Sequence, residues 1–118
     1  VPNQNYQRGY RLEYRTRKML EGMGWKVLRS PSSKGEADLI AFNQDSKILV
    51  QCKTTVKDAL YVYGLSDLVK EAKKYKAVPI LAYSFLRSPV YGVVVKNDRF
   101  NAKKRADNKK LDEILAGF

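Results

Sequence analysis

Histidine is absent from these 118 residues, cysteine occurs once, and acidic side chains number 12 against 23 Lys plus Arg. Without His, the commonest general base and the commonest metal ligand are both missing, which excludes His-dependent triads and His-containing zinc sites. A single Cys forms neither an internal disulfide nor a structural zinc centre, a usage that suits a reducing compartment. No apolar run approaches the roughly 20 residues of a membrane span, and no secretory pattern is visible. No membrane role is expected, and the expected location is the cytoplasm.

What is present is positive charge. The net charge of +11 calls for an anionic partner, whether nucleic acid, an acidic membrane surface or an acidic protein. Residues 1–35 hold eight basic and two acidic residues, residues 96–110 hold seven and two, and the middle is nearly balanced. A charge run is often only a solvated face; two separate runs on so short a chain favour a polyanion. With 44% hydrophobic residues, the chain carries enough apolar material for one modest core, hence one domain over 1–118.

Periodicity predicts a helix over 8–23, where Leu12, Met19, Leu20 and Met23 share a side and Gly24 supplies the stop. Strands are expected over 25–30, 37–43 and 47–54, the last two joined by a turn at Asn43 to Ser46. Val56 to Gly64 has no clear pattern. A second helix follows over 65–76, with Leu65, Leu68, Val69, Ala72 and Tyr75 on one face. Further strands are expected over 79–85 and 90–96, then a basic linker from Asn101 and a short helix carrying Leu111, Ile114 and Leu115. The order implies an α/β fold: a central mixed five-stranded sheet flanked by helices, with residues 1–7 and about 100–110 flexible. Trp25, Tyr61, Tyr63, Tyr75, Tyr83 and Phe85 are expected in packing rather than as stacking platforms for bases.

Catalysis without His falls to carboxylates, Lys, Tyr or a metal. Asp38 opens an otherwise apolar strand, an unfavourable place for a carboxylate unless it is paired or binds a cation. Gln51 and Lys53 stand two apart on the next strand, so they share one face and Cys52 takes the other. If the two strands pair as a hairpin, Asp38 lies near that end, and oxygen ligands plus an ammonium suit magnesium-assisted phosphodiester cleavage. The plain alternatives are a turn Asp and an exposed polar edge; Glu13 likewise stands four residues before Arg17, the spacing of a helical ion pair.

The segments R-G-Y-R-L-E at 8–13, V-L-R-S at 27–30, S-K-G-E-A-D-L-I-A at 33–41, Q-C-K-T-T at 51–55, L-Y-V at 60–62 and V-P-I-L-A at 78–82 resemble a known family. They are similar, in order along residues 8–95, to the archaeal-type Holliday junction resolvases of the PD-(D/E)-x-K nuclease superfamily, including those of viruses and phages. The resemblance implies a restriction-endonuclease-like core and a homodimer that nicks four-way junction DNA symmetrically, with Mg²⁺ as cofactor and Mn²⁺ able to replace it. If virus-encoded, the protein would work in the host cytoplasm. It further implies metal-site roles for Glu13, Asp38, Gln51 and the Cys52 backbone carbonyl, and a catalytic role for Lys53. Arg29 matches an arginine near the scissile phosphate, and either Ser32 or Ser33 matches a functional loop serine. Arg8, Arg11, Arg15, Lys34 and Lys57 are expected, with Arg29, to contact DNA. Two departures stand out: Gln51 replaces the usual Glu, and Tyr14 stands where the family often has Arg. A duplex-cutting restriction- or repair-type endonuclease of the same superfamily, or a non-catalytic DNA-binding module, are the competing readings.

Overall fold

Leu12, Thr16 and Leu20 recur every four residues along one side of the first helix, α1 (Gln4–Gly22), and all three are buried. The computed structural model describes residues 4–30 and 37–118, with the backbone alone at residues 4–6. α1 ends where Gly24 takes φ +94°, a left-handed turn that a side chain would strain. The Trp25 N–H then donates to the Leu20 carbonyl and drops the Trp25 ring into the core.

Three strands follow: β1 (Lys26–Arg29), β2 (Leu39–Phe42) and β3 (Lys47–Thr55). The β2–β3 turn forms because the Asn43 side-chain oxygen accepts the N–H groups of Asp45 and Ser46, at 2.8 and 2.7 Å. After β4 (Ala59–Val62) come α2 (Ser66–Lys74), β5 (Val78–Phe85), β6 (Tyr91–Val94), β7 (Phe100–Lys103) and α3 (Leu111–Leu115). The main sheet has the order β1-β2-β3-β5-β6, and β3 and β5 run parallel while the other pairs are antiparallel. It is the mixed five-stranded sheet expected from the sequence.

Alternation along β3 and β5 divides the core. Ile48, Val50, Ile80 and Ala82 pack with Leu12 and Leu20 of α1 and Leu111 and Leu115 of α3. Leu49, Leu81, Tyr83 and Phe85 point the other way, toward Leu65, Leu68 and Ala72 at α2 and Leu60 and Val62 of β4. Central strands with apolar side chains on both faces are what a sheet covered on both sides requires.

Several expectations are corrected. The segment 56–64, unread in the sequence, contains β4, and the supposed basic linker begins with β7; the two pair as a separate antiparallel ribbon. The stretch near 100–110 is therefore structured, with the Asn108 side chain accepting from the Tyr83 hydroxyl and donating to the Lys103 carbonyl. At the other end, α1 already starts at Gln4, within the segment read as flexible. Met23 and Tyr75, whose helical spacing predicts inner faces, are exposed, as are Tyr61 and Tyr63, whereas Trp25, Tyr83 and Phe85 are buried.

Candidate active site

Alternation on β1 puts Val27 in the core and carries Arg29 to the same side, facing α1. There a guanidinium nitrogen of Arg29 lies 3.3 Å from a carboxylate oxygen of Glu13. The i+4 pair of Glu13 with Arg17 is not what forms: the Arg17 guanidinium instead lies over the Tyr14 ring, 5.7 Å from its centroid. Glu13 is mostly covered, and its carboxyl is held above the usual carboxylate range by burial first and by Asp38 second, with Arg29 pulling the other way. Two carboxylates from α1 and from the start of β2 thus share one small region.

Asp38 is tied to both neighbouring strands. Its N–H donates to the Val50 carbonyl at 2.8 Å, its carbonyl accepts from Ser30, and its carboxylate accepts the Cys52 N–H at 2.7 Å. The β2–β3 register ends at Leu39↔Val50, and Asp38, just before it, is held by the backbones of Val50 and Cys52, the two neighbours of Gln51 on β3. Gln51 is half-buried, and Lys53, two residues on, is exposed. Cys52 turns the other way: its thiol sits 3.9 Å from the Thr16 hydroxyl of α1. Burial and the nearby Asp38 push that thiol far up, so it stays protonated and is no metal ligand. Only its backbone can serve the site.

Among the described residues no three His, Cys, Asp or Glu side chains cluster around a metal position. Glu13 and Asp38 supply two carboxylates, and at the third place β3 offers the Gln51 amide. Carboxylate, amide and carbonyl oxygens form a hard donor set, matched to Mg²⁺ or Mn²⁺. A carboxylate whose proton affinity is raised by burial and by a second carboxylate, as at Glu13, is relieved by a cation, so the residues present fit a divalent ion of this kind.

Of the expected DNA contacts, Arg8, Arg11 and Arg15 lie on α1, with Arg15 donating to the Ser88 carbonyl at 3.2 Å. Lys57 is exposed in the turn after β3. Ser32, Ser33 and Lys34 lie outside the described residues. Sequence reasoning missed a small cleft beside Glu13, about 60 Å³, lined by Tyr10, Tyr14, Arg17, Arg29 and Leu39. The Arg17 Nε there is buried without a hydrogen-bond partner. The signal was in the chain: positions 10, 13, 14 and 17 follow helical i, i+3, i+4 and i+7 spacing and share one face.

A family model for archaeal Holliday junction resolvase (Hjc) matches residues 4–116. The chain belongs to this family. The crossover junction endodeoxyribonuclease Hjc of Methanocaldococcus jannaschii is 32% identical over 82 residues, which cover 68% of this chain and 61% of that protein. The match therefore spans less than two thirds of that relative's length. Among solved structures, Archaeoglobus fulgidus Hjc, a Holliday junction resolvase from an archaeal hyperthermophile, superposes with a TM-score of 0.77. It is 18% identical, and the match covers 94% of this chain and 98% of that one. The sheet of this Hjc-family chain is accordingly the restriction-endonuclease-like fold.

Proposed function

We propose that this chain is a divalent-metal-dependent endodeoxyribonuclease that resolves four-way DNA junctions, with Mg²⁺ as the natural cofactor, Mn²⁺ as a substitute, and a cytoplasmic place of work. The observation that carries the reading is the meeting of Glu13 and Asp38 at the edge of β3, in a chain of the Hjc family. Glu13, Asp38, the Gln51 amide oxygen and the Cys52 carbonyl would hold the ion. Once bound, such an ion neutralises charge on a phosphate oxygen and makes an attacking water more acidic.

The remaining work belongs to the chain's own side chains. The ammonium of Lys53, exposed and on the same strand as Gln51, faces the charge that grows on the phosphate oxygens as water adds in line to phosphorus. Arg29 holds Glu13 through their 3.3 Å contact and adds positive charge beside the same phosphate. Breaking the bond to the 3′ oxygen leaves a 5′-phosphate and a 3′-hydroxyl. Arg8, Arg11, Arg15, Lys34 and Lys57 contact phosphates, which fixes orientation without reading bases, so selection of junctions rests on shape. A homodimer, with its two sites related by a two-fold axis, gives the paired symmetric nicks.

One observation favours a second reading: with Gln51 in the third place, the described site has two carboxylates only, as a DNA-binding module without catalysis would tolerate. Both are tested by incubating the protein with a labelled four-way junction, and with linear duplexes of the same arm sequences, in Mg²⁺ or Mn²⁺. Junction cleavage that Lys53→Ala abolishes while binding persists supports the resolvase. Equal cleavage of junction and duplex points to a duplex nuclease, and binding with no cleavage by the unaltered protein points to the module.

A further inference from the structure

The second basic segment, which the proposed catalytic site does not use, lines a broad cleft. This cleft, about 880 Å³, lies between β6, the β4–β7 ribbon and α3. Its lining carries four cations, Lys96, Arg99, Lys103 and Lys109, against one acid, Asp107. All four cations are exposed, and none has an ion-pair partner among the described residues. Of the neighbouring charges, Lys104 donates to the Leu86 carbonyl at 2.8 Å, and Asp98 accepts the Ser66 N–H at the start of α2 while also attracting Arg99. Tyr61, 59% exposed, stands in the cleft wall, and Arg99 lies over the ring of Tyr63 on the same ribbon. Four cations gathered against Asp107 and the neighbouring Asp98 leave an excess of positive charge, a cost that a polyanion removes.

The position of this cleft relative to the catalytic strand is set by sheet register. Tyr83, on its floor, pairs with Lys53 across β3–β5 and with Tyr91 across β5–β6. Alternation sends Lys53 and Tyr83 to the same face of the sheet, with one strand spacing, roughly 5 Å, between their backbones. The cleft therefore lies on the face of the sheet that carries Lys53, one strand away along the β5 register.

We propose that this cleft is a second DNA-binding site, holding the sugar–phosphate backbone of one strand as it leaves the scissile phosphate, with Lys96, Arg99 and Lys103 as its phosphate contacts. The inference rests on the junction-nuclease reading and deepens it, because it assigns the strand path on the non-reacting side. The test is the salt dependence of junction binding, measured by fluorescence anisotropy with a labelled four-way junction in EDTA, so that cleavage plays no part. The slope of log K against log salt counts phosphate contacts at about 0.9 each on duplex DNA. The triple variant Lys96→Ala, Arg99→Ala, Lys103→Ala is expected to lower the slope by about 2 to 3 and to weaken binding about tenfold or more near 0.1 M salt. A control with equal charge loss on the exposed side of α2, Lys70→Ala, Lys73→Ala, Lys74→Ala, is expected to leave the slope unchanged. Single variants Lys96→Ala and Lys103→Ala, each expected to lower the slope by about one, carry the test if the triple variant folds poorly. Equal losses in cleft variant and control, or no loss in the cleft variants, would overturn the proposal. Failure of the nuclease reading itself shows separately, as absence of junction cleavage by the unaltered protein.

Discussion

Replacing Gln51 by Glu restores a third carboxylate, and the structure lets its two opposing consequences be estimated. Residue 51 stands on β3 between Val50 and Cys52, whose backbones both hydrogen-bond Asp38. Neighbouring side chains on paired strands begin about 5 to 8 Å apart, and the shorter separation sets the upper end of the effect. Two unit charges at about 5 Å repel by about 0.8 kcal/mol in water and about 3 kcal/mol at the screening typical of a protein surface. Gln51 and Asp38 are both half-buried, so a cost of about 1–3 kcal/mol falls on the metal-free protein. Binding a divalent cation is affected differently, since the repulsion is present before and after binding and cancels. What remains is the attraction of the new charge to a double charge, about 1.7 kcal/mol even at full water screening, or more than tenfold in affinity. Gln51→Glu is therefore expected to lower the melting temperature in EDTA by about 4 °C or more. It should also tighten Mg²⁺ and Mn²⁺ binding by more than tenfold. Calorimetric titration with Mn²⁺ and thermal melts with and without Mg²⁺ read both quantities. A variant that binds the ions no tighter than the parent, or melts no lower without them, would show that residue 51 does not share a site with Asp38.

Further outcomes follow from the same geometry. Because the Glu13 carboxyl is raised in the fold, its contribution to stability is fully present below its ordinary value of 4.5 and is lost as pH rises through the raised one. At neutral pH Glu13→Gln is thus expected to raise the metal-free melting temperature while eliminating the Mg²⁺-induced increase and junction cleavage; a lowered melting temperature would contradict the assignment. Tyr83 is pushed up to about 12 by burial and by Tyr91, so stability present below its ordinary 10 is lost as pH rises from 10 toward 12. Tyr83→Phe should flatten that alkaline decline in denaturant titrations, and an unchanged pH slope would refute it. Gly92 faces α3, and a Cβ there would meet Leu111 Cδ1 at 2.6 Å, Ile114 Cδ1 at 2.8 Å and the Leu111 Cα at 3.3 Å. Gly92→Ala should cost about 1–3 kcal/mol by pushing α3 off the sheet, visible as faster hydrogen exchange at Leu111–Leu115.

Elements that carry their own periodicity were readable before any coordinates. α1 and α2 announce themselves by helical spacing, and β3 and β5 by apolar runs that fill both faces of a covered sheet. β4 and β7 were not readable, because each has four residues and its only strand partner lies about forty positions away. Their alternation is also blurred by exposed Tyr61 and Lys103, so pairing rather than propensity creates them. The candidate site divides on the same line. Asp38 stands out as an acid in an apolar strand, and Gln51 and Lys53 by the two-residue period. The Glu13–Arg29 contact joins a helix to a strand, and no spacing rule along the chain could choose Arg29 over Arg17.

The placement of charge explains how a protein of net charge +11 can keep two neighbouring carboxylates available for the proposed metal ion. Long-range attraction from the surrounding Lys and Arg favours ionised carboxylates, but salt screens it beyond about 8 to 10 Å. Within that radius, desolvation and Asp38 outweigh Arg29 at Glu13, and its proton affinity rises instead of falling. The local field at Glu13 is thus set by burial and by Asp38 more than by the outer surface. The outer surface is then able to draw a polyanion without filling the site with its own cations: Arg17 leans on Tyr14, Arg15 on the Ser88 carbonyl, and Arg29 alone reaches Glu13.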